Sequence, residues 1–199
     1  MVTKLILIRH GETHANAGKI VQGHLNSQLN EKGIEQAKKL ALRLKDEKID
    51  LCYSSDLDRC LDTAKEIVKF HPNLEIIPKK DLREQNKGTL TGKTREERDA
   101  AQKAMGIPYY QWDFNGGENA FEVSKRVINF IKLLLNENEN KNILISTHGG
   151  PINAHLLYVN KIPIESDKFF LVKNTAITEI EFKDGEAEVK TLHCDKHLI

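Results

Sequence analysis

Two apolar stretches of the chain end in a histidine that a glycine follows at once. The first leads into Arg9, His10 and Gly11, and the second, residues 143–147, leads into His148. Imidazole can act as a nucleophile, a general acid or a general base, and a neighbouring glycine lets the backbone turn close to a ligand. These two histidines are therefore the first candidates for chemistry in this chain.

Two arginines join the histidines if the apolar stretches are strands of one sheet. Arg9 precedes His10, and Arg59 lies about one turn into the helix predicted after Ser55. In open α/β sheets, ligands bind beyond the carboxyl ends of strands, so we expect all these groups at one edge. Each feature alone has an ordinary structural explanation. Two histidines and two arginines together, without a run of acidic residues to balance them, indicate a site for an anion.

Predicted strands and helices, the elements that would position these residues, alternate along the chain. Short strands are predicted at 4–9, 50–54, 74–77 and 142–147, and a hairpin at 176–182 and 187–192 with a type I′ turn. Helices are predicted at 31–46, 57–70, 94–105, 119–135 and 151–159. This order predicts a three-layer α/β/α fold with a mostly parallel central sheet that carries at least one antiparallel strand.

Capping patterns mark several of the helix starts. The predicted caps are Asn30, the Thr94–Glu97 and Asn119–Glu122 boxes, and a box at Ser55 and Asp58 in which Asp replaces the usual Glu. Residues 106–117 are interpreted as a loop or a partly helical insertion. Its aromatic residues could form a lid or could pack the insertion onto the domain, and they are Tyr109, Tyr110, Trp112 and Phe114.

Length and composition indicate a single domain over residues 1–199, with a small insertion at about 85–117. Thirty basic and 29 acidic side chains leave a net charge of +1, which does not favour nucleic acid as a partner. No segment has the length of a signal peptide's apolar region or of a membrane span. Three cysteines without Cys-x-x-Cys spacing favour reduced thiols, and we expect a cytoplasmic protein.

The stretch 9–13, Arg-His-Gly-Glu-Thr, resembles the signature of the histidine phosphatase superfamily, the phosphoglycerate mutase-like phosphatases. Further similar motifs follow in the family's order over about residues 5–160. They include Gln22-Gly23, Ser54-Ser55-Asp56-Leu57-x-Arg59, Leu82-x-Glu84-x-x-x-Gly88, Gly116-Gly117-Glu118 and Thr147-His148-Gly149-Gly150. The resemblance implies a phosphoglycerate mutase-like fold and phosphoryl transfer.

The resemblance also implies roles for individual residues. His10 would attack phosphorus and form a phosphohistidine, while Arg9, Arg59 and a His148 that is protonated when the anion is bound would stabilise the transferring group. Glu84 would act first as acid and then as base, with Glu12 as the rival carboxylate. Further phosphate contacts are implied for Asn16, Gln22, Gly23 and Gly149. No metal and no cofactor is expected, because the cations would supply the charge.

Three functions remain open at this stage. Mutases of the superfamily that depend on 2,3-bisphosphoglycerate have a tyrosine soon after the acid, paired arginines in the insertion and an asparagine after the second histidine. Here Gln85 follows Glu84, no such pair lies between Leu90 and Gly117, and Gly150 takes the asparagine position. A phosphatase is therefore favoured over a mutase, and over a catalytically silent binding domain, because the signature residues are present.

The substrate is expected to be a small phosphorylated metabolite. A sugar phosphate or bisphosphate, phosphoserine and a nucleotide-loop precursor such as α-ribazole phosphate all remain open. Cations that could line the rim, or could form a solvated helix face, are Lys87, Lys93, Arg95 and Arg98. The sequence does not indicate the oligomeric state. Three residues near the C-terminus could be metal ligands, namely His193, Cys194 and His197, but a frayed C-terminal tail is the simpler interpretation.

Overall fold

A six-stranded sheet organises the part of the chain that a computed structural model describes, residues 2–166 and 168–199. Its strands are β1 (Val2–Arg9), β2 (Leu51–Ser55), β3 (Ile76–Lys79), β4 (Asn142–Thr147), β5 (Ile177–Lys183) and β6 (Glu186–Cys194). The helices are α1 (His14–Ala17), α2 (Glu31–Leu44), α3 (Asp58–Val68), α4 (Arg95–Met105), α5 (Ala120–Glu137) and α6 (Gly149–Val159). Single 3₁₀ turns lie at Lys80–Leu82, Gly88–Leu90, Tyr109–Gln111 and Lys196–Leu198. No helix among the described residues has the length and apolar character needed to cross a bilayer.

The strand directions match the predicted topology. The strands lie in the order β3-β2-β4-β1-β5-β6. β1 and β2 both pair parallel with β4, and β3 pairs parallel with β2. β5 is antiparallel to both β1 and β6, so among the described strands it alone runs opposite to the others. The prediction of a mostly parallel sheet with at least one antiparallel strand is confirmed.

Alternating side chains of the central strands build one apolar core on each face of the sheet. Leu5 and Leu7 of β1 face a core shared with α5 and α6. Ile6 and Ile8, pointing the other way, face a core shared with α2 and α3. Because helices cover both faces, the central strands are apolar throughout rather than alternately polar. The three-layer α/β/α prediction is confirmed.

Two local predictions were wrong. β3 was expected to end before Pro78, but the strand includes this residue. The strand lies at the edge of the sheet and pairs only with β2 among the described strands, so the missing N–H of proline is tolerated. The capping box at Ser55 and Asp58 does not form either, because Leu57 is the N-cap of α3 and makes no side-chain cap bond. Asn26 replaces it from another loop, accepting a hydrogen bond from the Asp58 N–H at 2.9 Å.

The insertion has a small apolar cluster of its own. Leu90, Trp112 and Phe114 are buried against each other, with Ala101 and Ile107 packed around them. The rings of Trp112 and Phe114 are stacked with centroids 4.4 Å apart. For these two aromatic residues, packing rather than a lid is therefore the observed role. The assignment of the whole chain to one domain stays a prediction.

Candidate active site

The carboxyl ends of β1 and β4 meet at one edge of the sheet, and the two predicted histidines lie there. His10 and His148 follow directly after these strands, whose last residues, Arg9 and Thr147, are partners in the parallel register. Their ring centroids are 5.1 Å apart, and both side chains are buried. The structure thus brings the two histidines together as the strand pattern predicted.

One ring nitrogen of His10 is hydrogen-bonded to the backbone, and the other is available to a substrate. Its Nδ1 lies 2.7 Å from the carbonyl oxygen of Gly11. A carbonyl can only accept, so Nδ1 carries the proton and Nε2 keeps its lone pair. Burial holds the pKa of His10 well below its ordinary value, and the charges of Arg59 and Arg9 lower it further. The imidazole is therefore neutral near pH 7, as a nitrogen nucleophile must be.

His148 is bound on both sides of its ring. Arg59 Nε donates to Nδ1 at 3.2 Å, so the proton lies on Nε2, which is 2.9 Å from Ser55 Oγ. Burial, Arg59 and His10 hold the pKa of His148 well below its ordinary value. A protonated His148 would need a bound anion to offset these causes, so its protonation in the complex stays a prediction.

The two arginines differ in how their donors are used. Arg59 is 1% exposed, and it donates to the carbonyls of Leu25 at 2.7 Å and Gly23 at 2.8 Å besides His148. Arg9 donates through Nη1 to Val172, while its Nε is buried without a hydrogen-bond partner among the described residues.

The unpaired Arg9 Nε lies at the start of α6. A Cβ built on Gly149, the first residue of that helix, would lie 3.9 Å from it. Burial lowers the pKa of Arg9, although the guanidinium stays charged near pH 7 because the Glu84 carboxylate acts in the opposite direction and arginine is a very weak acid. A buried donor without a partner, beside a helix N-terminus, is suited to bind an anion.

Glu84 is the carboxylate that the structure places at this edge. Its Oε1 accepts from the N–H of Gln85 at 2.9 Å, and its Oε2 lies 3.4 Å from the N–H of Gly150, in the first turn of α6. Glu12, the rival carboxylate, is held elsewhere. Its two oxygens accept from Asn30 at 3.0 Å and from Lys32 at 2.8 Å, and these bonds lower its pKa.

The loop after β1 supplies the predicted amide side chains. Asn16 Oδ1 accepts from the N–H of Thr13 at 3.2 Å, and Gln22 Oε1 accepts from the Thr13 hydroxyl at 3.0 Å. With both oxygens engaged, each side chain has its NH₂ group available as a donor. Gly23 lies in the left-handed region at φ +49°, with Lys87 packed so closely that a Cβ would approach its backbone nitrogen to 2.9 Å.

Two residues that hold the site, Arg126 and Asn174, were not identified from the sequence, and His24 was considered there only as a substrate contact near the mouth of the site. Arg126 on α5 donates to the carbonyls of Asp81, Arg83 and Glu84 at 2.8, 2.8 and 3.1 Å. His24 Nε2 lies 2.8 Å from the Glu84 carbonyl, and Asn174 Nδ2 donates to the His10 carbonyl at 2.9 Å. The available signal was indirect, because Arg126 also binds Glu118, which belongs to one of the family-like motifs.

The C-terminal histidines do not form the metal trio that could be drawn from the sequence. His193 contacts Thr178 and His197 contacts Thr175, at 3.0 and 3.1 Å. Over residues 2–166 and 168–199, no group of three or more His, Cys, Asp or Glu side chains is arranged to hold a metal ion.

Comparison with known proteins identifies the family. A family model for the histidine phosphatase superfamily, branch 1, matches residues 5–195. The chain belongs to the histidine phosphatase superfamily. With relatives named as phosphatases, this membership makes the chain a phosphoric monoester hydrolase and confirms the resemblance drawn from the motifs.

Relatives of this histidine phosphatase span nearly its whole length. It is 33% identical over 189 residues to phosphoglycerate mutase-like protein 4 of Arabidopsis thaliana, covering 92% of this chain and 81% of the relative. It is 30% identical to phosphoserine phosphatase 1 of Hydrogenobacter thermophilus, covering 99% and 95%. Among solved structures, the phosphoserine phosphatase of Entamoeba histolytica in complex with 3-phosphoglyceric acid superposes with a TM-score of 0.84 at 30% identity, covering 99% and 100%.

Proposed function

We propose that this histidine phosphatase hydrolyses small phosphomonoesters without a metal, through a phosphohistidine formed on Nε2 of His10. The observation that supports this proposal most is the state of the His10 ring. Nδ1 is bound to the Gly11 carbonyl and the pKa is held low, so a neutral nitrogen with its lone pair lies among cations. A site built only to bind phosphate would gain more from a protonated histidine.

The first chemical step transfers the phosphoryl group to His10. The Nε2 lone pair forms a bond to phosphorus while the bond from phosphorus to the ester oxygen breaks, and a protonated Glu84 gives its proton to the leaving oxygen. The ring then carries a positive charge, which the hydrogen bond from Nδ1–H to the Gly11 carbonyl stabilises.

The second step regenerates the enzyme. Glu84, now a carboxylate, takes a proton from water as the water oxygen attacks phosphorus and the bond to Nε2 breaks. The products are inorganic phosphate and a neutral His10. During both steps the phosphoryl oxygens would be bound by Arg9, Arg59, His148, Asn16, Gln22 and the backbone at Gly23 and Gly149.

The rim supports a substrate with a second anionic group. Lys93 pairs with Glu97 at 3.8 Å, and Arg98 pairs with its neighbour Asp99. Arg95 is exposed, has no ion-pair partner among the described residues, and its charge contributes to the lowered pKa of Arg9. We therefore propose a small phosphomonoester with a carboxylate or another phosphate, the group that Arg95 would bind.

The position after Gly149 argues against mutase activity. A Cβ at Gly150 would collide with Oε1 of Glu84, so the asparagine of the mutases has no room there while Glu84 keeps its place. The phosphatase therefore remains the better interpretation, as the residues around Glu84 already indicated.

The test is hydrolysis of para-nitrophenyl phosphate, with EDTA present, by the wild type and His10→Ala. We expect the variant to lose about 10³-fold or more in kcat and to form no acid-labile phosphoenzyme, because the nucleophile is absent. His71→Ala is the control, since His71 contacts the carbonyl of Leu44, away from this edge. Equal rates in the wild type and His10→Ala would refute the proposal.

The same preparation identifies the substrate class. Phosphoserine and 3-phosphoglycerate are compared with ethyl phosphate, which lacks a second anion. A higher kcat/KM for the two carboxylated esters supports the proposed rim, and conversion of 3-phosphoglycerate to its 2-phospho isomer would favour the mutase instead.

A further inference from the structure

A bend before β5, residues 172–175, contacts the catalytic edge from the side opposite β4. Because β5 is antiparallel to β1, its first residues arrive where β1 ends. The carbonyl of Val172 accepts from Arg9 Nη1, and the N–H of Thr175 donates to the Arg9 carbonyl at 3.0 Å. Between them, Asn174 Nδ2 donates to the His10 carbonyl at 2.9 Å and approaches Oδ1 of Asn16 at 3.4 Å.

The backbone of this bend is strained. Thr175 has φ of +56°, a left-handed conformation that a β-branched residue rarely adopts. The residue is fully buried and keeps this conformation through its bond to Arg9 and a 3.1 Å contact between its hydroxyl and His197 Nε2. These contacts therefore hold the chain, against the strain, on the path that brings Asn174 to His10.

We infer that Asn174 is a positioning residue for phosphoryl transfer, acting through His10 and Asn16; this inference rests on the proposed function. Its amide fixes the carbonyl of His10, one residue before the Gly11 carbonyl that binds the ring. Its second contact helps to fix the Asn16 oxygen, which leaves the Asn16 NH₂ group for a phosphoryl oxygen.

The contacts of Asn174 predict an effect on the transition state. A small displacement of the nucleophile matters most where the attacking nitrogen and the leaving oxygen must be in line. Loss of Asn174 should therefore lower kcat far more than it changes KM. It should also weaken inhibition by orthovanadate, which mimics the five-coordinate transition state, more than inhibition by inorganic phosphate.

The test compares Asn174→Ala and Asn174→Asp with the wild type on para-nitrophenyl phosphate. We expect kcat to fall about 10- to 100-fold with KM changed less than about 3-fold, and the orthovanadate inhibition constant to rise in proportion to the loss of kcat. Neither variant can donate to the His10 carbonyl, but the isosteric aspartate also directs a carboxylate oxygen at the oxygens of His10 and Asn16, so kcat should fall further in Asn174→Asp than in Asn174→Ala. Asn160→Ala is the matched control, because Asn160 donates its amide to the Leu156 carbonyl at the far end of α6.

The outcomes separate this inference from the proposed function. A wild type without phosphatase activity would refute the function itself. An active wild type with unchanged kcat in both Asn174 variants would refute only the positioning role. If the variants lose activity solely in proportion to the unfolded fraction measured by circular dichroism, Asn174 is merely structural and the inference also fails.

Discussion

At the scale of single residues, Glu84 and Gly150 constrain each other. The Glu84 carboxylate occupies the space where a side chain at position 150 would begin, and Gly150 also offers its N–H to that carboxylate at 3.4 Å. The glycine is therefore needed for its lack of a Cβ, not for an unusual backbone angle. This requirement could not be derived from spacing, because the two residues are 66 positions apart.

Gly150→Ala should lower activity while leaving the fold intact. The new methyl group collides with the end of a half-buried side chain, which can rotate away into solvent and lose its position near the leaving oxygen. We expect kcat to fall about 10- to 100-fold, in the range usual for a displaced general acid, with little change in Tm. Gly18→Ala is the control, since a Cβ there would make only ordinary contacts of 3.4 and 3.5 Å. If Gly150→Ala kept the kcat of the wild type, the prediction that its methyl group displaces Glu84 would be wrong.

The sequence predicted the residues of this site where neighbours along the chain carry the signal. His10, Arg9, Arg59 and His148 follow from the ends of strands, and the structure brings them together at one edge. Arg126 and Asn174 were not predicted, because each acts through a backbone carbonyl at least 40 positions away. Any donor of suitable length could do this, so residue type alone gives no indication.

At the scale of elements, α6 joins the site to a buried histidine with no apparent chemistry. The helix begins at Gly149, and six residues later His155 lies in the apolar core among the rings of Tyr158 and Phe182. Neither ring nitrogen has a hydrogen-bond partner among the described residues, and burial lowers the pKa of His155 to about 4. A neutral imidazole in such a position makes the fold sensitive to acid.

His155→Phe should reduce the loss of stability on acidification. Unfolded chains bind a proton with the ordinary pKa of 6.5, whereas the folded chain does so only near 4, so stability is full above pH 6.5 and falls between these values. Between pH 7.5 and 5, His155 should account for about 2 kcal/mol of the loss. The measurement is the free energy of unfolding in urea at both pH values. The control is His14→Phe, because His14 is exposed. If the free energy of unfolding of His155→Phe falls between the two pH values as much as that of the wild type, His155 is not the source of the acid sensitivity.

The elements themselves were predictable where their signals are local. The caps at Asn30, Thr94 and Asn119 form as predicted, because each bond spans only three residues. The predicted capping residue of α3, Ser55, was wrong, because Asn26 caps this helix from 32 residues away. The edge position of β3, which accommodates Pro78, follows from the strand order and not from its own sequence.

At the scale of the molecule, the insertion and the sheet bury separate apolar clusters. The insertion's cluster is too small to fold alone, and hydrogen bonds from Gln85 and Asn86 to Glu118 join the two ends of the insertion. The prediction of a single domain therefore means that the insertion should unfold together with the sheet.

Trp112, the single tryptophan of the chain, makes this prediction measurable. Its fluorescence reports on the insertion, while far-ultraviolet circular dichroism reports mainly on the helices around the sheet. We expect both signals to change at the same urea concentration. A fluorescence transition at clearly lower urea would show that the insertion unfolds by itself and would contradict a single cooperative domain.

The reversed direction of β5 also bears on how the protein matures during synthesis. Every site residue predicted from the sequence lies within the first 150 positions, yet the bend at 172–175 that braces Arg9 and His10 is made much later. On the ribosome, a nascent chain can therefore pair β1 with β4 and assemble its arginines and histidines before the nucleophile is held in place. With Asn174 in the positioning role inferred above, full activity is expected only after the bend at 172–175 and β5 have been synthesised.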